Sequence, residues 1–207
     1  ANLGAIHIGE MASASCWSVY KKKNMKKIRI AIVTNSFPKI SETFIFNKVA
    51  GLVDAGFDIT VIAHGSNDDR SFFEKRSVLQ KINIVYSLNT FSTMGQLILF
   101  LNYFIKAPAR NISLLKKIYR ENGDIKKMII SYLKLQPFII NEFDIIHFEF
   151  SGIAVSYLSE LNYLENTKIS LSCRGSAEKS TPLFKPERKE QLSRVFKHSS
   201  LVHWYCS

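Results

Sequence analysis

Residues 28–34 (IRIAIVT) form a short β-branched run with no polar interruption after Arg29. Such a run reads as a strand buried on both faces, as strands of parallel sheets are. After a loop, Phe44, Ile45, Val49, Leu52 and Val53 recur at helical spacing, with Ser41 placed to cap the helix and Gly56 to stop it. Residues 57–63 (FDITVIA) then read as a second strand. Strand, helix, strand with no hairpin turn between is a βαβ unit, and that unit constrains the fold more than any other feature.

The alternation continues. Residues 82–86 predict a third strand, and a long helical region at about 92–135 is broken near Pro108 and Gly123. Residues 143–150 (FDIIHFEF), 168–173 (KISLSC) and 200–205 (SLVHWY) predict three more strands, with helices at 152–161 and 186–197 between them. The fold class is α/β: a Rossmann-like, doubly wound, mainly parallel sheet of about six strands. With 207 residues, 46% of them hydrophobic, one domain buries a sizeable core without staples. Cys16, Cys173 and Cys206 are too widely spaced for a zinc site or a disulfide framework, so a reduced, cytoplasmic setting is expected. Residues 97–105, the most apolar segment, cover about a third to a half of a bilayer span. Lys21, Lys22 and Lys23 follow the weakly apolar start of the chain instead of preceding it, which is not the order of a secretory signal. The pattern shift at Met25 divides the chain into residues 1–24, expected to be a poorly ordered leader or non-native extension, and a domain over 25–207.

The formal charge of +11 falls in three blocks. Residues 21–29 hold six basic side chains and no acid, residues 106–134 carry a net +6, and residues 174–197 a net +4. These blocks are either solvated helix faces or a surface for an anionic partner. No RNA-binding aromatic signature or helix-turn-helix pattern accompanies them, so nucleic acid is not expected.

In a doubly wound sheet, ligands bind beyond the carboxyl ends of the strands. That rule selects residues 35–43, 64–69, 147–152 and 174–181. The first loop, TNSFPKISETF, contains no glycine. Neither a dinucleotide fingerprint nor a Walker A loop can be built there, which argues against NAD or flavin as cofactor. The loop instead sets Pro38 in a turn and Ser41, Glu42 and Thr43 at a helix N-terminus; Ser41 either caps the helix or meets an anion or a sugar hydroxyl. His147 and Glu149 alternate onto one face of their strand, with Glu149 nearer the crevice. Glu149 can accept from a sugar or transfer a proton, while His147 reads as a satisfied core histidine. Arg174 and Gly175 after the fifth strand either meet an anion or form an ordinary turn. Cys173 reads as a small buried apolar residue, and the histidines show no metal-ligand spacing.

The stretch RIAIVTNSFPKISETFIFNKVAGLVDAGFDITVIAHG resembles the opening of glycosyltransferase family 4 enzymes, in the branch whose first loop reads F-P-x-x-S-E-T-F. FDIIHFEF, SCRGS and SRVFKHSSLVHWYCS resemble later segments of that family, in order, over about residues 28–207. The resemblance implies one half of a GT-B architecture, the N-terminal acceptor-side domain. A nucleotide-sugar-binding domain with an E-x7-E motif would follow residue 207, and this part alone would be inactive. It implies a retaining hexosyltransferase of exopolysaccharide or lipopolysaccharide biosynthesis that needs no metal. The donor would be a nucleotide-sugar and the acceptor a glycan or lipid-linked sugar. Phe37, Pro38, Ser41, Glu42 and Thr43 would line the cleft near the sugar. Arg174 stands where many relatives have histidine, which favours charge stabilisation over proton shuttling, and Gly175 and Ser176 follow as in the family. Ala177 stands where relatives often have aspartate, and Glu149 where a second histidine would be. Relatives that act on lipid-linked acceptors dock on membranes through this domain. Residues 97–105 with the basic block 106–134 suit such a peripheral contact at the inner face of the cell membrane. A non-catalytic Rossmann-like binding module and a fragment of another α/β enzyme are the competing readings.

Overall fold

The βαβ unit is present in a computed structural model of the chain, which describes residues 27–65, 77–86, 93–106, 108–164, 166–174 and 181–204. The segment 1–24 lies outside the described residues. Strand β1 (Arg29–Ser36) leads through a 3-10 turn (Ile40–Glu42) into helix α1 (Thr43–Asp54), and then into β2 (Asp58–Gly65). β1 and β2 pair in parallel, with Ile30 opposite Ile59 and Ser36 opposite Gly65. Gly56 ends α1 as expected: at φ +92° it lets its own N–H reach Val53 O (2.9 Å) and that of Phe57 reach Leu52 O (3.1 Å). Ser41, expected as the helix cap, lies inside the 3-10 turn instead. Glu42 holds the N-cap position of α1 with no side-chain cap bond.

The chain continues through β3 (Asn83–Tyr86) and three helices, α2 (Thr93–Lys106), α3 (Pro108–Asn122) and α4 (Ile125–Asn141). It then forms β4 (Ile145–Phe148), α5 (Ser151–Ser156), β5 (Lys168–Cys173), α6 (Thr181–Phe184), α7 (Pro186–His198) and β6 (Leu201–Trp204). The breaks at Pro108 and Gly123 fall as expected. α4, however, continues past 135 and runs through Pro137. The proline removes the N–H that would meet the Leu133 carbonyl. The same helix buries Tyr132, Leu133, Leu135 and Phe138, and that burial outweighs the lost bond. β4 is shorter than residues 143–150, and α5 stops at Ser156 before a run of turns.

The six strands lie in the order β3-β2-β1-β4-β5-β6, every pair parallel. This is the expected Rossmann-like α/β sheet, with its order reversing between β1 and β4. Alternation divides its side chains between two cores. Ile30, Ile32, Ile59 and Val61 pack with Ile45, Phe46 and Val49 of α1 on one face. Ala31, Val33, Ile146, Phe148, Ile169 and Leu171 pack on the other with Leu135 and Phe138 of α4, Ile153 of α5 and Val195 of α7.

Two glycines near the end of α1 separate backbone preference from packing. A Cβ at either Gly51 or Gly56 meets no atom within 4 Å, so backbone preference alone decides the outcome. Gly56→Ala is expected to cost about 1–2 kcal/mol because it places an L-residue at positive φ. Gly51→Ala, inside the helix, is expected to add about 0.5–1 kcal/mol. Urea denaturation midpoints of the two variants should move in opposite directions.

Candidate functional site

Parallel pairing brings the ends of β1, β2, β4 and β5 to one edge, and the strand order reverses there between β1 and β4, where doubly wound sheets form a ligand crevice. At that edge α1 turns its sheet-facing stripe toward β4. Lys48 lies on the stripe, four residues after Phe44 and three after Ile45. Its Nζ donates to both carboxylate oxygens of Glu149 (2.7 and 2.8 Å) and to His147 Nε2 (3.1 Å). Glu149 is fully buried, and Lys48 supplies the charge that makes its burial tolerable. An ammonium can only donate, so Nε2 of His147 accepts and the ring proton sits on Nδ1. From there it is donated to Ser170 Oγ (2.9 Å), while Ser172 Oγ stands 3.1 Å from Nε2. Burial first, then Lys48, His203 and Arg174, push the His147 pKa down to about 3, and the ring is neutral.

His147 and Glu149 do share a face, and His147 is a satisfied interior histidine with both ring nitrogens bonded. Lys48, which joins the two, was not among the sequence candidates. Its signal was a lysine at a position of the helical repeat that the apolar stripe occupies.

Arg174 reaches across from β5 to the start of α1, where its guanidinium carbon lies 4.1 Å from the centroid of the Phe44 ring. Phe44 meets Phe150 edge-on at 6.4 Å. Glu42 receives Lys39 Nζ on Oε1 (2.8 Å), while its Oε2 is buried and has no hydrogen-bond partner. Thr34 Oγ1, fully buried at the end of β1, is also unpartnered. Its register position is next to Glu149, since Val33 pairs with Phe148. Ser41 and Thr43 are exposed at the same edge. Phe37 is buried and stacks on Phe46 (6.2 Å), and Pro38 beside it is buried after a cis peptide bond. These two shape the loop from within. Gly175 and Ser176 lie outside the described residues. Cys173 is buried as expected.

Among the described residues the edge thus carries the exposed hydroxyls of Ser41 and Thr43 and the guanidinium of Arg174 stacked on an aromatic ring, a set suited to a polyol carrying negative charge. A cavity of about 370 Å³ lies at the opposite edge, lined by Arg29, Arg110 and Glu142 among others. Both arginines there are engaged by Glu142 (3.7 and 3.2 Å), and no strand carboxyl end reaches it. Among the described residues no group of three or more His, Cys, Asp or Glu side chains is arranged to hold a metal ion.

No protein-family model matches the chain. Over 182 residues it is 21% identical to the amylovoran biosynthesis glycosyltransferase AmsK of Erwinia amylovora. The match covers 84% of this chain and 44% of AmsK, so the chain spans less than half the length of that relative. The likeness relates the chain to a glycosyltransferase.

Two measurements test the network. Lys48→Met leaves Glu149 charged and buried without a partner, and is expected to cost about 3–5 kcal/mol. The double variant Lys48→Met/Glu149→Leu should recover most of that loss in a chemical-denaturation cycle. For His147, the unfolded ring takes up a proton near the ordinary histidine value of 6.5, which the folded ring refuses until about 3. Stability is therefore expected to be insensitive to this group above about pH 7 and to fall progressively as pH drops from about 6.5 toward 3. His147→Gln should flatten the slope of urea midpoint against pH across that window.

Proposed function

We propose that this chain is the acceptor-side domain of a family 4 glycosyltransferase with a GT-B architecture. The whole enzyme transfers a hexose from a nucleotide-sugar to a lipid-linked or polysaccharide acceptor, with retention and without a metal. The likeness to AmsK over most of the chain carries this reading, and the F-P-x-x-S-E-T-F loop adjoining an edge rich in polar groups supports it. Glu42, Ser41 and Thr43 meet the sugar at the loop edge, and Gly175 and Ser176 are further substrate-binding residues. Arg174 stabilises negative charge at the reacting sugar. Glu149 acts through Lys48, holding the floor of the crevice and its charge in place. The nucleotide-sugar is bound by a second domain, so residues 1–207 alone bind acceptor without turnover.

The domain also docks peripherally on the inner face of the cytoplasmic membrane. Met94, Ile98, Leu101 and Ile105 form an exposed stripe along α2, and Arg110, Lys116, Lys126 and Lys127 are exposed on the two helices that follow. Among the described residues no helix is long and apolar enough to cross a membrane.

Vesicle sedimentation tests both parts. Phosphatidylglycerol vesicles should retain the chain in a salt-sensitive manner. Adding a prenyl-diphospho-hexose to the vesicles should strengthen retention, and Glu42→Gln should remove the gain. If the sugar lipid adds nothing, the acceptor assignment fails; if bare anionic vesicles retain nothing, the docking assignment fails.

A further inference from the structure

His64 ends the apolar run of β2 on the sheet face opposite Lys48 and takes no part in the Lys48 network. Thr34 pairs with Ala63 and Ser36 with Gly65, so His64 stands level with the start of the first loop. Its Nε2 lies 3.1 Å from the hydroxyl of Tyr157, with ring centroids 5.6 Å apart. Tyr157 is buried and fixed by Phe138 edge-on at 5.6 Å and by Phe148 at 5.7 Å. Burial, then Glu160, raise the pKa of its phenol, which keeps its proton; the hydroxyl has no other acceptor among the described residues, so it donates to Nε2. Burial, then Lys134, lower the pKa of the imidazole.

The groups behind this pair are themselves held. Lys134 Nζ donates to Ser156 O (2.8 Å), lies 3.5 Å from Glu160 Oε2 and sits 5.5 Å from the Tyr157 ring centroid. Glu160 Oε1 accepts from Ser131 Oγ (2.7 Å). With Nε2 accepting, the His64 proton is on Nδ1. That N–H makes no hydrogen bond among the described residues, and the side chain is only half-buried.

We propose that His64 is a further ligand-contacting residue of the crevice, a neutral donor whose Nδ1–H meets an oxygen of the acceptor sugar. Tyr157 is the positioning residue that sets its tautomer. The inference rests on the acceptor reading above. A ligand lying over the end of β1 meets the exposed hydroxyls of Ser41 and Thr43 on one side and this donor from the other face of the sheet. Sugar hydroxyls both donate and accept, so a site built for them needs both kinds of group. A neutral donor suits an uncharged hydroxyl or ring oxygen, whereas the cationic Arg174 suits a phosphate.

The test uses the full 207-residue chain and the same prenyl-diphospho-hexose in phosphatidylglycerol vesicles. His64→Phe is expected to lose about tenfold of the affinity gained from the sugar lipid, the worth of one hydrogen bond. His64→Gln, which keeps a donor, should retain most of it. In ¹⁵N-histidine spectra the free wild type should show the Nδ1–H tautomer, its Nδ1 resonance should move when the water-soluble hexose 1-diphosphate is added, and Tyr157→Phe should mix the tautomers. If wild type gains nothing from the sugar lipid, the acceptor reading itself fails. If wild type gains and both His64 variants gain equally, with an unmoved Nδ1 resonance, only this inference is overturned.

Discussion

The ion pair between Lys48 and Glu149 joins the two halves of the sheet at the place where they diverge. Lys48 comes from the helix that links β1 to β2, and Glu149 from the residue after β4. One carboxylate with both oxygens on one ammonium is a demanding geometry for a fully buried group. It holds α1 against the switch point at a fixed height, and with α1 the first loop. The aromatic contact of Phe44 with Phe150 and the stacking of Arg174 on Phe44 repeat the same junction one layer nearer solvent. His147 contributes as a neutral acceptor, and Ser170 and Ser172 carry the hydrogen-bond chain into β5.

That junction separates support from contact. Glu149, His147 and Phe37 are enclosed and bonded or stacked, so they fix the floor and loop of the crevice. Glu42, Ser41, Thr43 and Arg174 stand at its edge. The division matters for the glycosyltransferase reading, because a carboxylate already held by an ammonium serves shape and electrostatics more readily than proton transfer. A polar edge of this composition on a Rossmann-like sheet accommodates many ligands. The likeness to AmsK is what turns it toward sugar chemistry.

Much of the architecture was legible because its signals are local. The buried strands read as unbroken β-branched runs, α1 as a periodic stripe ended by Gly56, and the three-helix excursion as a long segment cut at Pro108 and Gly123. The errors were local signals overruled by packing. The helical region was expected to end at about residue 135, yet the residues around Pro137 bury so much apolar surface that α4 continues to Asn141. Ser41 is a good cap by type, but the chain turns once more before the helix begins. Glu149 was found from strand alternation, whereas Lys48 was not, because its partner is 101 residues away in the chain.

The amino-acid sequence by itself determined the class of fold, the segments that follow the strand carboxyl ends and the lack of glycine in the first loop. Each depends on residue type and spacing within one element, where steric and hydrophobic preferences act directly. Tertiary structure alone decided which charged groups pair with one another and which stand at the edge. The pairing of Lys48 with Glu149, the tautomer of His147 and the coupling of His64 to Tyr157 all require side chains from distant segments within about 3 Å. Only the packed fold, which removes competing water and leaves each buried polar group few partners, selects among them.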